Sequence, residues 1–233
     1  MIKEKNILIV GGSSGIGLAL AEILSPLNSL YIASRSSEKL TNLKVTHIPY
    51  DATTQNLEVS LLPDTIDGFV YCPGSINLRP FKGLTTEAFE KDFQINVLGA
   101  INSLKSVLSS LSNSGNGSVV FFSTVAVQTG MPFHSSVASS KGAIEGLTRS
   151  LAAEFAPKIR VNAIAPSLVD TPLASKFLNN ESKLEKANER HPLGRIGNAK
   201  EIAQAAVFLL GSESSWMTGK VLQLDGGIGN LKT

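Results

Sequence analysis

The sequence predicts a doubly wound α/β sheet of about seven parallel strands, with helices covering both faces in three layers. Three observations carry this. Short runs rich in β-branched and aromatic residues alternate with longer stretches of helical spacing from one end of the chain to the other. The short runs are near-continuously apolar, as strands buried on both faces must be. The first of them leads straight into a glycine cluster and then an apolar helical stretch, so that the chain opens with a strand, a tight turn and a helix.

In chain order the expected strands are 6–10, 29–33, 44–48, 67–71, 118–122, 159–164 and 220–224. Between the fourth and fifth, Phe89, Phe93, Val97, Ala100, Leu104, Val107 and Leu111 recur at three- and four-residue steps and predict one long helix with a single apolar face. Further helices are expected at about 135–155 and 199–210. The polar run 109–118 reads as the turn from the long helix into the next strand. Residues 167–192 break the rhythm with a broken helical pattern. They are expected to fold as a lid over the C-terminal edge of the sheet, where open α/β sheets bind ligands. No repeat or linker divides the chain, so 1–233 reads as one domain.

The 233 residues are 42% hydrophobic and 17% charged, and the mean hydropathy is +0.13. This suits a sizeable core and excludes a disordered or coiled-coil chain. A net charge of +2, carried by scattered basic residues, argues against a nucleic-acid or polybasic membrane surface. The single cysteine, Cys72, excludes an internal disulfide framework and fits a reducing compartment. Histidines at 47, 134 and 191 are too far apart in sequence to suggest a metal site. No apolar stretch approaches the ~20 residues of a membrane span, and a cytoplasmic location is expected.

The glycine cluster is Gly11-Gly12-Ser13-Ser14-Gly15-Ile16-Gly17. Glycines there let the backbone approach a pyrophosphate, and the following helix offers unpaired N–H groups and a positive dipole end. Placed between a strand and a helix near the N-terminus, the cluster points to a Rossmann-type dinucleotide site rather than a bare turn. The second strand then runs Ala33-Ser34-Arg35-Ser36-Ser37, and the nearest acid is Glu38. An acid that would bind a ribose 2′-hydroxyl is therefore missing, while Arg35 beside hydroxyls suits a 2′-phosphate. The expectation is NADP(H) rather than NAD(H). The other reading of Arg35 is an exposed arginine at a helix start.

With these motifs in place, the chain resembles the short-chain dehydrogenase/reductase family over its whole length. The resemblance rests on residues 10–17, Asp51-Ala52 after the third strand, Asn96-Val97-Leu98-Gly99, and Ser123-Thr124. It continues through Ser140-Lys141-Gly142-Ala143, Ile159 to Pro166, Leu193 to Gly197, and Thr218-Gly219 to Asp225-Gly226-Gly227. It implies an oxidoreductase acting on a small molecule, and a homodimer or homotetramer. As cofactor contacts it implies Gly11, Ser13 to Gly17, Ser34, Arg35, Asp51, Ala52, Gly74, Lys141, Pro166, Val169 and Thr171. The family's catalytic group maps onto Asn96, Thr124 and Lys141.

The departures are equally informative. The family tyrosine, four residues before the lysine, maps to Val137, and its serine maps to Thr124. The turn after the fourth strand is Tyr71-Cys72-Pro73-Gly74, which keeps only the family's glycine. The family's Pro-Gly after the sixth strand is Pro166-Ser167. Carbonyl reduction needs a proton donor beside the hydride, and valine has nothing to donate. Enoyl-thioester reductases that resemble this family place their tyrosine seven residues before the lysine, where this chain has His134.

Imidazole can donate to an enolate or order a water that does. The comparison favours reduction of a conjugated double bond or carbonyl, with Thr124 on the substrate oxygen and Lys141 on the ribose. His134 is otherwise a loop residue at a helix start. Tyr71 is a displaced donor or a packing residue, and Cys72 a nucleophile or a small buried side chain. Leu173, Phe177 and Leu178 are the expected apolar pocket. The alternative function is a cofactor-binding sensor or scaffold without turnover.

Overall fold

The structure is a computed structural model and describes residues 2–231. Its strands in chain order are β1 (Asn6–Val10), β2 (Ser29–Ser34), β3 (Val45–Pro49), β4 (Gly68–Tyr71), β5 (Gly117–Phe122), β6 (Ile159–Pro166), β7 (Val169–Asp170), β8 (Gly197–Asn198) and β9 (Val221–Leu224). The helices are α1 (Gly15–Leu24), α2 (Thr86–Phe93), α3 (Gly99–Asn113), α4 (Ala126–Thr129), α5 (Ser135–Phe155), α6 (Glu181–Glu189) and α7 (Ala199–Leu210). All seven expected strands form. They make one sheet in the order β3-β2-β1-β4-β5-β6-β9, parallel at every pairing.

The apolar runs are continuous because both faces of the sheet are covered. Along β1, Ile7 and Ile9 pack with Leu20 and Leu24 of α1 and with Ile202 and Leu209 of α7. Leu8 and Val10 point the other way, into a layer built with Ala100, Leu104 and Val107 of α3 and Ile144 of α5. Each fully buried aliphatic side chain contributes about 1.5–3 kcal/mol, so neither helix layer is dispensable.

The expected single helix over 89–111 is instead two helices joined by a π turn, Gln94–Leu98. A π turn carries one extra residue, which rotates everything before it. The buried position on α2 becomes Asp92, and Phe93 is 41% exposed. Phe89 and Phe93 therefore do not continue the apolar face that Val97, Ala100 and Leu104 begin.

Between β6 and α7 the chain forms β7, a short 3-10 turn (Ser175–Phe177) and α6, and β7 pairs in parallel with β8. The order of the sheet reverses between β1 and β4. Their C-terminal ends open the crevice in which such sheets take ligands.

Candidate active site

The loops after β1 and β4 meet at that crevice. A Cβ on Gly11, whose φ is +77°, would lie 2.9 Å from Pro73 Cδ, and a Cβ on Gly17 would lie 2.4 Å from the carbonyl oxygen of Gly11. Only glycine allows this turn. A Cβ on Gly15, whose φ is +54°, would lie 3.5 Å from Thr171 Cβ, so the 167–192 segment lies directly over the glycine loop.

One cavity of about 850 Å³ runs from this loop to α5. All the cofactor contacts expected from the sequence line it, and so do Thr124, His134 and Lys141. Asn96 does not. It is fully buried behind Gly74, where a Cβ would sit 3.1 Å from Asn96 Oδ1 and 3.4 Å from Lys141 Nζ. Asn96 Nδ2 donates to the Asp92 carbonyl at 2.8 Å and to Ser75 Oγ at 2.9 Å, while its Oδ1 is a buried acceptor with no partner among the described residues. The length of the cavity, the glycine cradle and this orphaned oxygen beside Lys141 fit a bound dinucleotide.

At the adenosine end Arg35 and Asp51 line the wall. Asp51 Oδ1 accepts from Thr53 Oγ1 at 2.6 Å and from Thr53 N at 2.9 Å. The hydroxyl bond, then the amide bond, hold the carboxyl below its ordinary range, and Arg35 adds to this. Of the hydroxyls beside Arg35, only Ser34 reaches the cavity. Its Oγ donates to the Ser36 carbonyl at 2.8 Å and pairs with His47 Nε2 of β3 at 3.1 Å, so it is already engaged. Arg35 lines the same cavity as the glycine-loop hydroxyls of Ser13 and Ser14.

At the other end, Lys141 is buried, and desolvation pulls its ammonium down to about 8, with Cys72 and Asp92 pulling it upward. Val137 faces the same cavity four residues earlier. His134 Nδ1 lies 2.8 Å from the Pro132 carbonyl. A carbonyl only accepts, so Nδ1 carries a hydrogen, and Nε2 makes no hydrogen bond among the described residues. Ser123, next to Thr124, donates to buried Glu145 at 2.8 Å, whereas the Thr124 hydroxyl lines the cavity and donates to no partner among the described residues.

Two sequence readings are settled by this geometry. The Tyr71 hydroxyl donates to the Ile95 carbonyl at 2.6 Å, lies against Gly99, and is pushed upward by burial. It is a packing residue outside the cavity wall. Burial also pushes the Cys72 thiol up to about 12, so it is no thiolate nucleophile near neutral pH.

Leu173 and Phe177 line the substrate end, whereas Leu178 does not. The wall there is less apolar than expected, because Lys176, Lys183, Lys186 and Arg190 line it too. The last three recur at i, i+3 and i+7, the spacing of one helix face, which was readable in the sequence. Ser167 and His191 also line the cavity and bond to one another; at a separation of 24 positions, no sequence spacing announces the pair.

A family model described as "Enoyl-(Acyl carrier protein) reductase" matches residues 49–229. The 2,5-dichloro-2,5-cyclohexadiene-1,4-diol dehydrogenase of Sphingobium indicum is 32% identical over 243 residues, covering 97% of each chain. This chain belongs to the short-chain dehydrogenase/reductase family. A second family relative, the 3-oxoacyl-[acyl-carrier-protein] reductase FabG of Thermotoga maritima, is 33% identical over 97% of this chain and 98% of its own.

Among solved family structures, levodione reductase superposes over 100% of both chains with a TM-score of 0.91 at 28% identity. A structure titled "ElxO with NADP Bound" covers 97% of this chain and 98% of its own, with a TM-score of 0.87 at 27% identity. These relatives are dehydrogenases and reductases of small molecules, and one of the solved structures holds NADP. Among the described residues no helix is long and apolar enough to cross a membrane.

Proposed function

We propose that the chain is an NADP(H)-dependent oxidoreductase that reduces a conjugated double bond or a carbonyl without the family's tyrosine. The observation that carries this reading is one cavity holding the glycine loop, Thr124 and Lys141 together, with valine where that tyrosine would stand. Arg35 at the mouth, with no carboxylate after β2 until Glu38, supports a 2′-phosphate.

A bound nicotinamide supplies the hydride, and the remaining work falls to side chains. Lys141, charged below about pH 8, holds the ribose hydroxyls. The Thr124 hydroxyl donates to the substrate oxygen and stabilises the negative charge that grows there. His134, with its Nδ1–H committed to Pro132, presents Nε2, which donates to an enolate from the imidazolium form and in the neutral ring accepts from a water that it orders there. Leu173 and Phe177 take the apolar body of the substrate, and the basic face of α6 lies at the same end. The 167–192 segment acts as the lid, with Thr171 over Gly15. Phe93 and Leu98, 41% and 38% exposed, leave apolar surface on the α2–α3 region for a homodimer or homotetramer.

The test is NADPH oxidation by the purified chain against enoyl and dienoyl thioesters, ketones, aldehydes and diketones. Turnover confined to the conjugated alkenes supports His134 or its water as the donor. Silence across the panel with NADPH bound makes the chain a cofactor sensor or scaffold.

A further inference from the structure

We propose that Ser167 and His191 form a proton relay at the reacting end of the cavity, in which Ser167 meets the oxygen of an alcohol or carbonyl substrate and His191 exchanges the proton behind it. This rests on the oxidoreductase reading and adds a proton path for alcohol and carbonyl chemistry, separate from the enolate protonation assigned to His134.

The imidazole of His191 is clamped at both nitrogens. Nδ1 lies 2.7 Å from the carbonyl of Ala187, one turn back on α6, and a carbonyl only accepts, so Nδ1 carries the hydrogen. In the neutral ring Nε2 is then the lone-pair nitrogen. It lies 2.8 Å from Ser167 Oγ, so the serine hydroxyl donates to it. The ring is 5% exposed and packs edge-on against Gly226, where a Cβ would stand 3.3 Å from its Cδ2. A hydroxyl held by an imidazole that a third group orients is the arrangement by which proteins make a weak acid exchange protons.

The pair is also in the right place. Ser167 follows Pro166 at the end of β6, and the Pro166 carbonyl accepts from Val125 N at 3.0 Å. Ser167 and Thr124 therefore stand at neighbouring strand ends over one cavity, and both Ser167 and His191 line it.

In the oxidative direction the alcohol O–H bond breaks, and its proton passes to Ser167 Oγ while the serine proton passes to His191 Nε2. The C–H bond breaks at the same carbon, its electron pair leaving as hydride to NADP⁺, and the C=O bond forms. His191 is left as an imidazolium whose Nδ1–H remains bonded to the Ala187 carbonyl. Reduction runs the same path backwards, the proton travelling from Nε2 through Ser167 to the forming alkoxide.

The test compares the wild-type chain with Ser167→Gly, Ser167→Thr and His191→Gln. The reactions are NADP⁺ reduction with cyclohexanol and cyclohexane-1,2-diol, and NADPH oxidation with diacetyl and with crotonyl-coenzyme A. The relay predicts that Ser167→Gly and His191→Gln each lower kcat on alcohol and carbonyl at least tenfold. KM should change less than threefold, and the double variant should be no worse than either single one. Ser167→Thr, which keeps the hydroxyl, should recover most of the rate.

Nitrogen NMR of labelled imidazoles gives a readout independent of turnover. The neutral ring of His191 should be protonated at Nδ1, and its Nε2 signal should move in Ser167→Gly. An unchanged alcohol and carbonyl kcat in Ser167→Gly, a glycine variant affected only in KM, or an Nε2-protonated neutral ring overturns the relay. A wild-type chain that reduces crotonyl-coenzyme A but acts on no alcohol or carbonyl overturns the relay alone. One that turns over nothing overturns the oxidoreductase reading with it.

Discussion

Asn96, inside the π turn that separates α2 from α3, donates through Nδ2 to the backbone carbonyl of Asp92 on α2 at 2.8 Å. The same Asp92 accepts from Ser75 and Ser136, each at 2.5 Å, and is itself buried. One carboxylate therefore ties the loop after β4 and the first turn of α5 to the end of α2. Asp92→Ala leaves the buried Ser136 hydroxyl and the half-buried Ser75 hydroxyl without this acceptor, at a cost on the order of 2 kcal/mol. Urea unfolding should show that loss, and a change below about 1 kcal/mol would remove the network from the account of the fold.

Lys141 carries a stability cost of its own. Burial brings its ammonium from 10.5 down to about 8 in the folded chain. Below pH 8 folded and unfolded states are both protonated, and the full cost of burying the charge is present. Between pH 8 and 10.5 the folded state has lost the proton that the unfolded state still holds, so stability rises with pH there. Cys72, raised from 9.0 to about 12, works the other way above pH 9, because the unfolded thiol ionises first. In a Cys72→Ala background, stability without cofactor should climb from pH 8 to 10. Lys141→Met should be the more stable protein at pH 7, by an amount on the order of a few kcal/mol, and should lose the slope together with turnover. A Lys141→Met variant less stable at pH 7 would contradict the burial cost.

Much of this was readable before any coordinates, for physical reasons that also set the limit. The strands were legible because burial on both faces makes each a continuous apolar run, whereas β7 and β8, two residues long, leave no such trace. The glycine loop and Lys141 were legible because their chemistry is local in sequence. The π turn was not, because an inserted residue preserves the period on each side and changes only the phase, which moves Phe93 out and Asp92 in. The direction of Tyr71 depended on that turn, since its hydroxyl is taken by the Ile95 carbonyl within it. Ser167 and His191 are brought together by the fold of the 167–192 segment, and only tertiary structure shows it.

The cofactor preference turns on Arg35. With Ser34 bonded to Ser36 and to His47 of β3, the arginine is the group at that end able to meet a 2′-phosphate with charge. Arg35→Asp replaces attraction by repulsion toward the phosphate and offers an acceptor to a free 2′-hydroxyl. The expected outcome is a reversal of preference from NADPH toward NADH by at least tenfold in kcat/KM, with little change in Tm because Arg35 is exposed. An unaltered ratio would dissociate Arg35 from cofactor choice.

His134 makes the sharpest claim about the alkene reaction. Its Nδ1 is occupied by the Pro132 carbonyl, which orients the ring and leaves Nε2 as the nitrogen available for exchange. The residue also stands at the N-terminal end of α5, where Ala138 N donates to its carbonyl at 2.7 Å, a backbone bond that any side chain at 134 preserves. His134→Ala therefore removes the imidazole without removing that helix contact. Turnover of a conjugated alkene should fall at least tenfold while NADPH affinity stays within twofold. His134→Gln, which retains a polar group but no titrating nitrogen, should behave like the alanine variant if the ring itself gives the proton. If the ring only orders a water, the glutamine should recover a substantial part of the rate. An alanine variant as fast as the wild type would return His134 to the loop and leave the enolate to another donor.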